Sequence, residues 1–357
     1  MEQRNVSTEM LELMVQPCFS VRDGKIHYCN GAAAAMLVET GTPIASALIT
    51  GREEYDALTG GCLYLKLELN GQAFGACVVR MQDEDIFLLD PQTEQAELKA
   101  LSLAARELRE PLANIMITAE RLFPSAGADP KAQEHISRMN RGMYQILRMV
   151  SNMSDAGRLS NPAASRQETE DMTAFMKEVF SKAEGLVEKA GIRFCYEGPD
   201  HPVFTLMDRQ LLERAALNMV SNAVKFTEPG GSIQVKLTHS GSSLRLSVQD
   251  DGCGIDQPVI GSIFHRYLRQ PALEDSRYGI GLGMVLIRSA AASHGGAVLI
   301  DHPCKQGTRV TMTMAVRQSS STMVRSRTLQ LDYAGEQDHA MMELSDCLPA
   351  SAFLSDN

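Results

Sequence analysis

Three stretches in the second half of the chain combine side chains and backbone suited to phosphate chemistry. Asn218, Asn222 and Lys225 fall at i, i+4 and i+7 of a helical pattern running from Asp208 to Phe226, which stacks two amides and a cation on one stripe. Leu212, Ala215, Ala216, Met219 and Ala223 form the apolar face beside them. Asp250-Asp251-Gly252-Cys253-Gly254-Ile255 directly follows a strand-like run, Leu244 to Val248, and so offers a carboxylate at a strand end next to glycines that let backbone approach a ligand closely. Gly279-Ile280-Gly281-Leu282-Gly283 opens a further helix that ends at His294-Gly295-Gly296. Glycines ahead of a helix N-terminus present free N–H groups and the positive end of the helix dipole to phosphate. Between the last two stretches lie Ile263-Phe264-His265-Arg266-Tyr267, then Arg269 and Arg277, and Gly307-Thr308 begins a closing strand. Alone, an Asn/Lys stripe reads as a solvated helix face and a DxGxG as a turn. Order and company give these segments their weight.

In this order they resemble the asparagine, glycine and phenylalanine boxes of the Bergerat (GHKL) ATP-binding fold shared by histidine kinases and DNA gyrase. The resemblance implies that the ligand is ATP and that Asn222 holds Mg2+ through its amide oxygen. It further implies that Lys225 neutralises phosphate oxygens and that Asp250 accepts a hydrogen bond from the adenine amino group. Asn218, Gly252, Gly254, Phe264, Arg269, Gly279, Gly281, Leu282, Gly283 and Thr308 would complete the site. Magnesium favours hard oxygen ligands and keeps waters and substrate phosphates in its shell, which suits a single amide oxygen. Where related ATPases carry a glutamate that activates water, this chain has Asn218, as kinases of the family often do, so rapid ATP hydrolysis is not expected.

Upstream, Arg106-Glu107-Leu108-Arg109-Glu110-Pro111-Leu112 resembles the phosphoacceptor box of sensor histidine kinases, written HELRTPL, with Arg106 where the histidine stands. A guanidinium stays protonated near neutral pH and offers no lone pair to a γ-phosphate, so self-phosphorylation at Arg106 is expected to fail. Glu107, which by the resemblance assists proton removal from the imidazole, is retained. Glu110 stands where the family commonly has a Thr or Asn that orients water. Pro111 lacks an N–H and crowds the carbonyl of Glu107, which predicts a local kink.

The elements that must position these groups are legible from periodicity. Leu98, Leu101, Ala105, Leu108, Leu112, Ile115, Ala119 and Leu122 are spaced alternately by three and four, and Ile136, Met139, Met143, Ile146, Val150 and Met153 repeat the seam after a turn at Phe123 to Pro130. Such a hairpin cannot cover its own apolar stripe, so a homodimer closed as a four-helix bundle is predicted, with Arg106 facing outward. The expected fold class is α+β and multidomain. Residues 1–92 resemble a PAS-like sensor domain, with hairpins at Asp23-Gly24 and Asn70-Gly71, and His27 and Cys29 read as an edge-strand pair. The helical hairpin occupies 93–158 and a linker 159–170. A Bergerat-type α/β sandwich fills 171–317. The tail, 318–357, reads as a partly ordered appendage of unknown role.

Composition narrows the function. Across 357 residues the net charge is −10, which argues against a nucleic-acid partner. Eight scattered cysteines without metal-ligand spacing read as buried free thiols. No apolar run approaches the roughly 20 residues of a membrane helix. The N-terminus lacks the pattern of a secretory signal, so a cytoplasmic location is expected. Three readings follow. The first is a degenerate, two-component sensor-kinase-like protein that binds Mg-ATP and acts on a response regulator or a partner histidine kinase. The second is an active phosphotransferase whose acceptor lies on a partner protein, and the third a non-catalytic dimeric adaptor.

Overall fold

The computed structural model describes residues 11–36, 38–81, 84–90, 100–105, 107–108, 111–112, 114–115, 118–119, 130–159, 167–255, 282–302, 307–317 and 338–354. In the N-terminal module, β1 (Cys18–Arg22) and β2 (Lys25–Cys29) are joined through Asp23-Gly24, and β3 (Cys62–Leu69) and β4 (Gln72–Arg80) through Asn70-Gly71. All four turn residues have positive φ, the backbone that matches a two-residue turn to the twist of its strands. Short helices α1 (Gly31–Ala35), α2 (Ile44–Ala47) and α3 (Arg52–Asp56) separate the hairpins, and β5 (Asp85–Leu89) completes an antiparallel sheet of order β2-β1-β5-β4-β3. Phe19 stacks on Phe87 at 4.9 Å between centroids, inside a core shared with Ile26, Leu63, Leu65 and Leu67.

In the helical segment, the described residues between 100 and 119 are helical and α4 spans Pro130–Leu159. Alternate seam positions part company. Ala105, Leu112, Ala119, Met143 and Val150 are buried, whereas Leu108, Ile115, Met139 and Ile146 are exposed. The hairpin thus buries half of its stripe within the chain and leaves the other half on the surface.

The next module is a two-layer α/β sandwich. β6 (Glu168–Asp171) pairs with β8 (Phe204–Met207), and β6 lies within the segment read as a linker, so folded structure resumes before residue 171. Helices α5 (Met172–Lys189), α6 (Arg209–Phe226) and α7 (Leu282–Ser293) share one apolar core with β7 (Arg193–Glu197), β9 (Ser232–Ser240), β10 (Ser243–Asp250), β11 (Val298–Asp301) and β12 (Arg309–Ala315). Along β9, Ile233, Val235 and Leu237 are buried while Gln234, Lys236 and Thr238 are exposed, the alternation of a sheet covered by helices on one face.

The two sheets are continuous. β11 pairs with β12 on one side and with β3 on the other, in the register Val298↔Tyr64, Leu299↔Leu63 and Ile300↔Cys62, giving ten strands in the order β2-β1-β5-β4-β3-β11-β12-β10-β9-β7. Gly61 makes the junction possible, because a Cβ there would lie 2.0 Å from the Ile300 carbonyl oxygen and φ is +80°. Beside it, Arg288 Nη1 on α7 donates to Asp90 Oδ1 at 2.8 Å and the guanidinium lies over the Tyr64 ring.

In the tail, residues 338–354 are folded, and residues 318–337 lie outside the described residues. α8 (His339–Leu344) and a 3-10 turn (Ala350–Phe353) pack against α4, α5 and α6, burying Ala340, Met342, Leu344, Leu348, Ala352 and Phe353. Asn140 Nδ2 donates to the Phe353 carbonyl at 3.1 Å, and Arg141 donates to the carbonyls of Ser345 and Asp346 at 3.3 and 3.2 Å. Single apolar pairs in a polar segment gave no period to read, yet each finds a place in a core made by three other helices. Among the described residues no helix is long and apolar enough to cross a membrane. Among the described residues the cysteines are free, but Cys195 and Cys253 are exposed, against the expectation of burial, because their strand-edge and loop positions face away from both cores.

Gly61→Ala is expected to lower unfolding stability by at least about 1 kcal/mol from the positive φ alone, with the clash at Ile300 adding to it. Denaturant unfolding checks this; a midpoint equal to the parent's would contradict the role given to the junction.

Candidate functional site

The site gathers at the C-terminal end of α6 and the end of β10. α6 begins cleanly because Asp208 Oδ1 accepts from the Leu211 amide at 3.1 Å, an N-cap. The Asp208 amide in turn donates to His294 Nε2 at 3.0 Å, so Nδ1 carries the proton that reaches the Ala290 carbonyl at 2.7 Å. His294 is thereby fixed as a neutral structural imidazole, and burial pushes its pKa down.

Asp250 ends β10 almost fully buried. Its Oδ1 accepts from the Gly252 amide at 3.0 Å and from the Thr308 amide at 3.1 Å. Burial raises its pKa, and these two amides oppose the rise by favouring the carboxylate. Gly252 is required for contact with α6, since a Cβ there would sit 2.1 Å from the Phe226 carbonyl oxygen. The Cys253 amide donates to that same oxygen at 3.2 Å. Asp250, Gly252, Gly254 and Thr308 therefore form one unit locked to the end of α6, and a buried acceptor carboxylate is suited to selecting an amine-bearing ligand.

Asn222 is half-buried on α6, with Nδ2 directed at Met284 Sδ at 3.7 Å. That leaves the harder amide oxygen as the atom offered to a cation. Among the described residues no group of three or more His, Cys, Asp or Glu side chains could cage a metal. One amide oxygen fits a magnesium ion that takes the rest of its shell from waters and phosphates.

The other two members of the stripe are engaged by the tail. Lys225 Nζ donates to Asp346 Oδ2 at 3.1 Å, and burial, followed by repulsion from Arg148, lowers the lysine pKa. Burial works against ionised Asp346, but Arg148 and Lys225 prevail and hold its carboxyl below the usual range. Asn218 is 1% exposed; its Oδ1 accepts from Arg148 Nη2 at 2.9 Å and its Nδ2 donates to Glu343 Oε2 at 3.0 Å. Glu343, 0% exposed, also accepts from Arg148 Nε at 3.2 Å and Arg214 Nε at 2.9 Å. Leu282 is given to packing, with Val285 against Met153, and Gly283 abuts the Asn218 amide. Sequence reasoning therefore placed Asn218 and Leu282 in a ligand site, whereas in this structure their side chains are held by protein partners.

Glu107 is exposed on its helix. Arg106, Arg109, Glu110, Phe264, Arg269, Gly279 and Gly281 lie outside the described residues. Sequence reading missed Arg148, Arg214, Glu343 and Asp346. Only Arg214 had a signal, since it extends the Asn218 stripe backward by one turn.

Residues 207–318 match the family profile described as histidine kinase-, DNA gyrase B- and HSP90-like ATPase. The chain is 29% identical over 217 residues to the sensor protein SphS of Synechococcus elongatus, covering 58% of this chain and 52% of the relative. It is 26% identical over 253 residues to the adaptive-response sensory kinase SasA of Crocosphaera subtropica, covering 67% of this chain and 66% of that one. The chain thus spans between half and two thirds of the length of these curated relatives. Among solved structures, full-length ShkA in complex with AMPPNP matches with a TM-score of 0.48 at 21% identity, covering 62% of this chain and 46% of that one. The histidine kinase ThkA in complex with the response regulator TrrA matches at 0.43 and 15%, covering 86% and 98%. The α/β sandwich that carries Asn222 and Asp250 is thus a GHKL-type ATPase domain. The chain is thus similar to sensor histidine kinases, with the family profile matching its ATPase domain.

The neutral burial of His294 contributes stability that is complete above the ordinary histidine value and is lost as pH falls below it, because the unfolded chain takes up the proton first. Thermal melts from pH 7.5 to 5.5 should show a fall in Tm that is smaller in His294→Leu; equal slopes would contradict the assignment.

Proposed function

We propose that this chain is a two-component signalling protein that binds Mg-ATP in its GHKL domain and does not phosphorylate itself. The observation that carries the reading is Asp250: a buried carboxylate held by the Gly252 and Thr308 amides, next to an α6 that carries Asn222 and, ion-paired with Asp346, Lys225. In this reading Asp250 accepts from the adenine amino group, Lys225 neutralises phosphate charge, and Asn222 supplies an oxygen to magnesium. Magnesium, when bound, neutralises charge on the phosphates and orients them. Arg106 blocks phosphate transfer to the acceptor slot, since it has no lone pair to offer. Glu107 beside it has no imidazole to deprotonate.

The hairpin acts as a homodimer seam, and the exposed Leu108, Ile115, Met139 and Ile146, each about half accessible, support this as the unsatisfied half of a heptad stripe. The N-terminal module is a PAS-like sensor, supported by its five-stranded antiparallel sheet with short helices between the hairpins. A response regulator is the partner expected of a two-component protein, and a partner histidine kinase is the other. The second reading, an active phosphotransferase, is favoured by the retention of every ATP-site residue named above and would place the acceptor on that partner.

Purified protein incubated with γ-labelled Mg-ATP should take up no label, while Arg106→His should become labelled with an acid-labile phosphate. Asn222→Ala should weaken magnesium-dependent nucleotide binding by more than about tenfold, the loss of one good metal or hydrogen-bond contact. Label on the parent would overturn the self-phosphorylation claim, and unchanged binding by Asn222→Ala would overturn the metal ligand.

A further inference from the structure

The tail ends on the residues that the nucleotide reading needs. Lys225, the phosphate-neutralising group of that reading, is 11% exposed and ion-paired with Asp346. Asn218, one turn before Asn222, has both ends of its amide taken, by Arg148 on α4 and by Glu343 on α8. Cys347 Sγ lies 3.8 Å from Ser221 Oγ on the same helix. Asp346 Oδ2 is shared between Lys225 Nζ at 3.1 Å and Arg148 Nη1 at 2.6 Å. Two carboxylates thus stand against the face of α6 that would meet a polyanion. A triphosphate and Asp346 are both anionic and compete for one ammonium, so they cannot both be satisfied by it.

We propose that residues 338–354 are a tethered plug for the nucleotide site: when docked they hold Asn218 and Lys225 on Glu343 and Asp346 and clip the ATPase domain to α4, so that docking and Mg-nucleotide binding exclude one another. The inference rests on the nucleotide reading of the site.

Its two halves have different depths. Glu343 is sealed, with arginines from α4 and α6 on either oxygen. The Asp346 side chain is 34% exposed at the rim, where an incoming phosphate would first meet it. Nucleotide would take Lys225 from Asp346 first, and the loosened segment would then surrender Arg148, the residue that joins Asp346, Glu343 and Asn218. Arg141, Asn140 and Ser137, all on α4, bond backbone carbonyls of the tail, so its departure also removes the bonds that tie α4 to the ATPase domain through it. The plug therefore couples occupancy of the site to the freedom of the domain to move against the hairpin.

The test is hydrogen exchange of the intact protein with and without the magnesium complex of a non-hydrolysable ATP analogue, together with its affinity for the parent and for Asp346→Asn. The amides of Met342, Ser345, Cys347 and Leu348, each bonded within the docked tail, should exchange at least tenfold faster when the analogue is bound. Asp346→Asn should bind the analogue at least fivefold tighter. Binding with these amides equally or better protected would overturn the plug and leave the nucleotide reading standing. Absence of binding by both proteins would overturn both.

Discussion

A single carboxylate with no exposed surface, Glu343, ties together three segments far apart in the chain. Removing a carboxylate and two guanidiniums from water is costly unless geometry and hydrogen bonding compensate. Here both oxygens are used: one takes Arg214 from α6, and the other takes Arg148 from α4 and the Asn218 amide. Arg148 spends its three nitrogens on Glu343, Asp346 and Asn218. No two of these segments can be packed as they are with the third removed, because an ion would be left buried with an incomplete set of partners. Placement of the tail, the orientation of α4 and the exposure of the Asn218–Lys225 face are thus one structural fact.

At the opposite edge of the ATPase domain the constraint is geometric. β11 is shared by the two sheets, and it directly follows α7, whose Arg288 reaches Asp90 and the ring of Tyr64 in the N-terminal module. Ala297 and Leu299 pack with the N-terminal core. A displacement of β3 is therefore transmitted to β11 by hydrogen bonds and to α7 through the Tyr64 ring beneath Arg288, and α7 begins beside Asn218 through Gly283. Both contacts of the ATPase domain, to the N-terminal module and to α4 with the tail, converge on α6 and α7, the helices that carry the site.

Much of this was legible in the sequence because it depends on local pattern. The hairpins at Asp23-Gly24 and Asn70-Gly71 follow from turn chemistry, and α6, β10 and α7 follow from their periods and from Asp208, Gly252 and Gly283. Asp250 and its neighbours could be singled out because their order along the chain is informative. The junction of β3 and β11 was not legible, since edge-to-edge pairing leaves no periodic trace, and Gly61 reads as an ordinary turn glycine. Nor was the tail. Glu343 sits between Met342 and Leu344 with no partner in sequence, and the arginines that make it tolerable lie 195 and 129 residues away. Hence Asn218 looked open to a ligand when it is covered.

The most direct test of this account is a double-mutant cycle between α4 and the tail, with unfolding free energies measured for Arg148→Met, Glu343→Met and the pair. Each single substitution should destabilise by about 3–5 kcal/mol by stranding a buried charge. The pair should lose less than the sum, by about 1–3 kcal/mol, since Arg148 is then no longer stranded by the loss of Glu343, while Arg214 loses its carboxylate in both Glu343 variants alike. Additivity within about 0.5 kcal/mol would mean that the two groups do not depend on each other, and the central role given to Glu343 would fail.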